Sequence, residues 1–185
     1  MEGKITYSRR KTLSLRILPD GSLDIRAPLG MPRRDIDRFL AEKADWIRTH
    51  RAQVLSDRQQ GQRHPISDEE LETLKDLAQG PILESLRLFA PQMGVTYGRV
   101  TIRCQKTRWG SCSSAGNLNF NCLLALAPRE VLDYVVVHEL AHRRHMDHSE
   151  SFWREVERIL PDYRERRAWL TRNGGALLAR AGKRG

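Results

Sequence analysis

Residues 138–148 read HELAHRRHMDH and hold four of the six histidines of the chain. His138 and His142 are four residues apart, so a helix places both imidazoles on one face, within reach of a single cation. Three protein ligands and one open position are typical of a hydrolytic zinc site. Glu139 directly follows the first ligand, where its carboxylate can exchange a proton with zinc-bound water. The stretch therefore predicts an active-site helix with one Zn²⁺ ion as cofactor.

The third metal ligand is either a histidine or an acidic residue. His145 shares the helical face, but a straight helix rises about 1.5 Å per residue and carries it about 10 Å from His138, too far to share one ion. His148 reaches the ion if the helix ends near His145 and the chain turns back, so we favour it. The acidic alternatives are Glu150, Glu155 and Glu157. His145 then either lines the entrance and polarises substrate, or is a C-terminal helix residue that the helix dipole favours.

Composition limits the class of protein. The chain has 185 residues, 39% hydrophobic and 30% charged, which is typical of one globular domain or of one domain with an appendage. It contains no run of about 18 apolar residues and no apolar signal segment, so we expect no membrane partner and a cytoplasmic location. Three cysteines without a CxxC pair suit a reducing compartment. The net charge of +9 makes nucleotides and nucleic acid candidate partners.

The first third of the chain has the pattern of a hairpin and a helix. Apolar and polar residues alternate on both sides of the turn cluster 19–22, which predicts a β-hairpin over residues 13–27. An apolar stripe then predicts one helix over about residues 33–59. The polar stretch 56–66 is typical of a linker or of a fraying helix end.

The rest of the chain alternates helices and strands. Ser67 and Glu70 make a capping box for a helix that continues to about residue 90 and that Gly80-Pro81 breaks or kinks. The later elements are predicted as strands at 95–106 and 118–122 around a turn-rich loop, then helices from Pro128, from Glu150 and after Pro161, the last ending at 173–175. The expected domains are a hairpin and helix at 1–60, packed on a core at 67–175, with a disordered basic tail at 176–185.

A family resemblance covers the WGSC loop, the active-site helix and the HSESFW segment. The stretch 107–153 closely resembles the signature of the YgjP-like metallopeptidases, which are related to the SprT-like and WLM zinc proteases: TRWGSCSSAGNLNFNCLLALAPREVLDYVVVHELAHRRHMDHSESFW. The resemblance implies an α+β fold with a zincin-like core, made of a small antiparallel sheet and an HExxH active-site helix, together with an N-terminal β-hairpin and helix. It also implies zinc on His138, His142 and His148, with Glu139 as catalytic base.

The spacing HExxHxxxxxH equals that of the metzincins. In that class a glycine stands where this chain has His145, and a Met-turn follows the site. No methionine follows the site in this chain, so we exclude the metzincins as close relatives.

Five residues near the motif are candidate substrate contacts. Proteases of this type commonly bind extended peptide along an edge strand. Trp109 is either a wall of that cleft or a residue that packs the loop, and Lys106 and Arg108 are either anion contacts or surface charges. Tyr134, one turn before the first ligand, either aids an oxyanion or caps the core. His145 is the fifth candidate.

The leading prediction is a zinc-dependent metallopeptidase, in which zinc-bound water activated by Glu139 attacks the scissile carbonyl of a peptide or protein substrate. A first alternative is a metal-dependent nucleoside triphosphate phosphohydrolase, with phosphates held by Lys106, Arg108, Arg143 or Arg144. A second alternative is a DNA-associated protease of SprT/WLM type, whose basic surface recruits DNA. A non-enzymatic zinc protein is disfavoured because a structural site does not need Glu139.

Overall fold

The protein has a mixed α+β architecture. The computed structural model describes residues 3–18 and 20–181, and this part contains two small sheets and six α-helices. The chain divides into two compact units, Met1–Arg63 and His64–Gly185. Within the described residues, no helix is long and apolar enough to cross a membrane. All residues predicted to bind metal or substrate belong to the second unit.

A three-stranded sheet opens the first unit. Strands β1 (Gly3–Ser8), β2 (Ser14–Ile17) and β3 (Leu23–Pro28) lie in the order β1-β3-β2, with β2 antiparallel and β1 parallel to β3. The antiparallel pair confirms the predicted hairpin, although Pro19 of its predicted turn lies outside the described residues. Gly21 has a φ of 81° in the turn, which glycine adopts without steric cost. The sequence pattern did not predict β1.

Two helices follow this sheet, so the prediction of a single helix is wrong. Helices α1 (Arg33–Glu42) and α2 (Ala44–Arg63) are separated at Lys43, whose φ of −97° and ψ of 8° depart from helical values. Ile36 and Ile47, one from each helix, are buried in one core with the apolar residues of β3. Each helix thus contributes one isoleucine to this core, and the segment predicted as a linker or helix end is helical to residue 63.

Helix α3 (Asp68–Met93) begins the second unit, and the predicted capping box of Ser67 and Glu70 is present at its start. Gly80-Pro81 was predicted to break or kink this helix, and the break is wrong because α3 is continuous through both residues. Proline removes one backbone donor and leaves the carbonyl four residues earlier without its helical partner. The neighbouring apolar residues of the inner face are fully buried, namely Ala78, Ile82 and Leu86. Their packing outweighs the loss of one backbone hydrogen bond.

The second sheet is mixed, so the expectation of an antiparallel sheet is wrong. Strands β4 (Val100–Arg103), β5 (Gly110–Cys112) and β6 (Leu118–Asn121) lie in the order β4-β6-β5, with β5 antiparallel and β4 parallel to β6. The segment between β4 and β6 is long enough to return the chain to the same end of the sheet, which a parallel pair requires. Strand β5 forms within the stretch predicted as a loop, and it contacts helix α4 (Arg129–Ala141).

The remaining helices complete one large core. A short 3₁₀ helix (Cys122–Leu126) leads into α4, which begins after Pro128 as predicted. Helices α5 (Glu150–Ile159) and α6 (Tyr163–Arg180) follow. Buried residues of α3, β6, α4 and α5 form a single apolar cluster. The active-site helix predicted from sequence is thus held between other helices and the sheet.

Helix α6 continues through Asn173-Gly174-Gly175, where the sequence predicted its end. Leu170 packs against the main core and Leu178 against a smaller cluster, so apolar contacts on both sides of the glycines override their low helix propensity. Residues 176–180 of the predicted disordered tail are therefore helical. Residues 182–185 lie outside the described residues.

Candidate metal centre

Helix α4 is buried on most of its surface, with contacts to α3, α5 and α6. The valines at 135–137 and Leu140 are at most 3% exposed. In the same turns His138 is half-buried and Glu139 is 5% exposed. A carboxyl group and an imidazole are thus held in apolar surroundings, where a polar group needs a partner.

Three histidine side chains converge at the C-terminal end of α4. The helix ends at Ala141, and His142 at its C-cap keeps helical angles, so His138 and His142 remain one turn apart. The chain then turns back and brings Nε2 of His148 to 3.1 Å from Nε2 of His138. One nitrogen from each of the three histidines lies within 4.8 Å of the others. The three residues predicted as ligands therefore meet, although the helix ends earlier than the expected end near His145.

His145 lies past the end of α4 and outside this histidine group. Its backbone carbonyl accepts a hydrogen bond of 2.9 Å from Nδ1 of His142. Its own Nδ1 lies 3.5 Å from the hydroxyl of Ser151. Because a carbonyl only accepts, Nδ1 of His142 carries the hydrogen and Nε2 keeps its lone pair. Residue 145 thus orients the imidazole of His142 through its main chain.

Phe152 forms a floor beneath the three imidazoles. Its ring centroid lies 4.9, 4.7 and 4.8 Å from those of His138, His142 and His148, and its side chain is fully buried. The Trp153 ring lies 5.9 Å from that of His138 and 5.8 Å from that of His148. Both aromatic residues come from the first turn of α5, and they exclude water from one side of the histidines.

The donor set fits a divalent transition-metal ion. Imidazole nitrogens bind zinc at about 2.0–2.1 Å, so two nitrogens on one tetrahedral ion stand about 3.3 Å apart. The 3.1 Å between the Nε2 atoms of His138 and His148 agrees with that spacing. Burial, followed by the neighbouring histidines, lowers the pKa of His138 to about 3, and burial also lowers the pKa of His148. Both imidazoles are neutral near pH 7, which is the form that binds metals.

Glu139 lies against a strand residue that has no side chain. A β-carbon on Gly110 of β5 would lie 2.6 Å from Oε1 of Glu139. Gly110 is not among the glycines with positive φ, so it supplies space and not backbone freedom. Burial raises the pKa of Glu139 to about 8, and the charge of Arg108 opposes that rise. The carboxyl group can therefore take up or release a proton near neutral pH.

Asn121 holds the loop that carries three of the candidate substrate residues. Its buried amide donates to the carbonyls of Gln105 at 2.7 Å and Arg108 at 2.8 Å, and its backbone N–H donates to the Trp109 carbonyl at 2.9 Å. The side chains of Lys106 and Arg108 are exposed. Arg108 acts on the pKa of Glu139, whereas Lys106 has no hydrogen bond, ion pair or ring contact with the site in the described residues.

The two aromatic residues among the candidate substrate contacts lie at different distances from the histidine group. Trp109 is half-buried and its ring lies over Gly174 of α6, where a β-carbon would be 3.1 Å from Nε1 of the indole. Tyr134 is buried, with its ring centroid 5.9 Å from that of His138. Burial raises the pKa of Tyr134 to about 12, so its phenol remains a hydrogen-bond donor. Tyr134 therefore borders the histidine group, and Trp109 packs the loop onto α6.

The acidic alternatives to His148 are engaged elsewhere. None of them joins the histidine group in the part of the chain that the structure describes. All three form ion pairs with arginines: Glu150 with Arg154 at 3.7 Å, Glu155 with Arg158 at 2.9 Å and Arg144 at 3.8 Å, and Glu157 with Arg164 at 2.7 Å.

Sequence reasoning missed four residues that build or border the site: Gly110, Asn121, Phe152 and Arg167. The first three lie inside the stretch 107–153 that carried the family resemblance, so that motif was their only signal. Arg167 lies outside the stretch. Only its position beside the apolar stripe of the last helix could have identified it.

Comparison with known proteins places the chain in a family. A family model described as YgjP-like, metallopeptidase domain, matches residues 11–80 and 71–173. Among solved structures, the chain is similar to the metallopeptidase zymogen abylysin of Pyrococcus abyssi, with 28% identity over 49% of this chain and 92% of that chain, and a TM-score of 0.45. None of the curated proteins matches the chain. The chain belongs to the YgjP-like metallopeptidase domain family, a family of metal-dependent peptidases.

Proposed function

We propose that the chain is a zinc-dependent peptidase of the zincin type, in which His138, His142 and His148 hold the ion and Glu139 is the catalytic base. The observation that carries the proposal is the convergence of three imidazoles next to one buried carboxyl group. A structural zinc site closes its coordination with a fourth protein ligand, whereas three ligands with an adjacent acid suit hydrolysis. The proposed catalytic core comprises residues 67–175.

Each residue around the histidines has a proposed task. When bound, zinc supplies a Lewis acid that polarises the scissile carbonyl and acidifies water. Glu139 takes a proton from the attacking water on its carboxylate and returns it to the leaving amine, and Gly110 leaves room for that carboxylate. Phe152 and Trp153 keep solvent from the inner side of the histidines. Tyr134 donates to the developing oxyanion, because its phenol stays protonated.

The edge strand β5 offers a place for the main chain of the substrate. It pairs with β6 on one side only. An extended peptide can add to such an edge through main-chain hydrogen bonds. Because Gly110 lies in β5 and against Glu139, a peptide bound there has a carbonyl close to the proposed base.

The nucleotide alternative has less support. Of the residues expected to hold phosphates, Arg143 donates to the Thr96 carbonyl at 2.9 Å and Arg144 to the Met93 carbonyl at 2.6 Å. Both guanidinium groups thus anchor the segment after α4 to the end of α3 and the loop beyond it. The DNA-associated alternative rests on the resemblance to the SprT-like and WLM proteases and on the net charge of +9.

The test is peptide hydrolysis by zinc-loaded protein. Wild-type protein should cleave quenched fluorescent peptides and stop when a chelator is added. Glu139→Gln should keep zinc but lose about 100- to 10,000-fold of the activity, which is what a general base contributes. Glu130→Gln, which changes an exposed carboxylate on the same helix, is the matched control and should keep full activity. Full activity of Glu139→Gln, or hydrolysis of nucleoside triphosphates without peptide cleavage, would contradict the proposal.

A further inference from the structure

Helix α6 carries two adjacent arginines, Arg166 and Arg167, at its inward-facing stripe. Helix residues three or four positions apart share a face. On this face Tyr163 and Gly174 are buried, and Leu170 and Leu178 pack against apolar clusters. Arg167 stands between Tyr163 and Leu170 on the same stripe. Arg167 is nevertheless exposed, so its charge can be reached by a ligand.

Arg167 lies at the edge of the histidine group. Its guanidinium carbon is 4.8 Å from the centroid of the Trp153 ring, a cation–π contact. The same ring is 5.8 Å from that of His148 and 5.9 Å from that of His138. The guanidinium is therefore close to the place where a substrate would bind.

The guanidinium group has no carboxylate partner within residues 3–18 and 20–181. Its neighbours on α6 do have one: Arg164 pairs with Glu157 at 2.7 Å and Arg166 with Asp162 at 2.9 Å. The side chain of Arg167 is exposed. Its N–H donors, which match a carboxylate in a planar fork, are thus open to a ligand.

We propose that Arg167 binds a carboxylate of the substrate next to the scissile bond, so that the enzyme prefers acidic peptides. The inference rests on the proposed peptidase function. Guanidinium–carboxylate pairs are frequently bidentate, and the contact with Trp153 holds the guanidinium in place before substrate arrives. The carboxylate belongs either to a glutamate or aspartate side chain or to the C-terminus of the peptide.

Two peptide series distinguish these sources. The first has blocked termini and carries glutamate or glutamine at successive positions on either side of the cleaved bond. The second is neutral and carries a free or an amidated C-terminus. We expect zinc-loaded wild-type protein to cleave at least one carboxylate-bearing peptide about tenfold faster, in kcat/KM, than its neutral counterpart, as a charged hydrogen bond allows.

Variants of two arginines on α6 test whether Arg167 causes the preference for carboxylate-bearing peptides. Arg167→Gln should bring the ratio of kcat/KM between the carboxylate-bearing and the neutral peptide down to about one, whereas Arg167→Lys should keep part of the preference. Arg172→Gln removes the same charge from another face of α6 and should leave the preference intact. Zinc content and melting temperature are measured for each variant, to separate loss of recognition from loss of the site.

The possible results separate the inference from the proposed function. Equal rates on acidic and neutral peptides in both series, or equal losses in Arg167→Gln and Arg172→Gln, would overturn the inference and leave the peptidase function standing. If the zinc-loaded wild-type protein cleaves none of the peptides, the proposed function fails and the inference fails with it.

Discussion

Gly110 of the edge strand β5 and Glu139 of helix α4 are packed so closely that no side chain fits between them. A β-carbon on Gly110 would lie 2.6 Å from Oε1, 2.8 Å from Cγ and 2.9 Å from Cδ of Glu139, well inside the optimum of about 3.5–4.0 Å for non-bonded atoms. By contrast, a β-carbon on Gly80 would meet nothing within 4 Å. The edge strand therefore determines where the proposed catalytic base stands.

Replacing Gly110 with alanine should displace the carboxylate and leave the histidines in place. We expect Gly110→Ala to keep zinc and to lose about 100-fold in kcat, the low end of what a general base contributes. The measurements are zinc content and peptide cleavage, with Gly80→Ala as a glycine-to-alanine control that should change neither.

Repeating the Gly110→Ala substitution in a Glu139→Asp variant shows whether the loss of activity arises through Glu139. Aspartate at 139 is shorter by one methylene, so its carboxylate would retract from Gly110. We therefore expect Gly110→Ala to cost much less in a Glu139→Asp background than in the wild type, a non-additivity that residues in contact show. Equal losses in the two backgrounds would mean that Gly110 acts by another route.

Two histidines in the same turn should differ sharply in their effect on metal affinity. His148→Ala removes a proposed ligand, and we expect roughly 100- to 1,000-fold weaker zinc binding, the share of one ligand in a tight site. His145→Ala keeps the backbone carbonyl that orients His142, so its affinity should stay near that of the wild type. Competition with a chromophoric chelator measures both, and a His145→Ala variant as weak as His148→Ala would contradict the assignment.

The buried amide of Asn121 should be a large contributor to stability. Alanine at this position would leave three main-chain groups without their partner: the carbonyls of Gln105 and Arg108 and the N–H of Leu123. We expect a loss of about 3 kcal/mol in the free energy of unfolding by urea. Asn119→Ala, which removes only a 3.3 Å contact with Ser111, is the control. A comparable loss in both variants would argue against the loop anchor.

The ion pair of Glu155 should make stability depend on pH. The hydrogen bond with Arg158, aided by the charges of Arg158 and Arg144, lowers the pKa of Glu155 below its ordinary value of 4.5. A carboxyl group with a lowered pKa adds stability above its unfolded pKa and loses it as the pH falls through its folded pKa. We expect Glu155→Gln to be about 1 kcal/mol less stable than wild type at pH 7, with the difference shrinking as the pH falls below 4.5 and through the lowered pKa of Glu155.

Thermal unfolding at several pH values tests this expectation. Glu157→Gln breaks an ion pair whose two side chains are more exposed, and should show a smaller difference at every pH. A difference for Glu155→Gln that stays constant from pH 7 to low pH would show that the ion pair is not its source.

Local patterns predicted the parts of the site that depend on a few neighbouring residues. The spacing of His138 and His142 requires only a helical turn, and the return of His148 requires only that the helix end before it, although that end came earlier than expected. The capping box at Ser67 was read correctly for the same reason. The predictions that failed concern where helices begin and end, which depends on packing between distant segments: α3 is continuous through Pro81, the first helix divides at Lys43 and α6 continues past its glycines.

The sequence by itself determined the pairing of His138 and His142 in the HExxH motif, because helical periodicity places residues four apart on one face whatever surrounds them. Only the tertiary structure decided what surrounds that motif. Gly110 faces Glu139, Phe152 underlies the three imidazoles, and Arg167 reaches Trp153 because β5, α5 and α6 pack around α4. These neighbours come from separate elements, and their meeting depends on how each element buries its apolar face, which no spacing within one segment encodes.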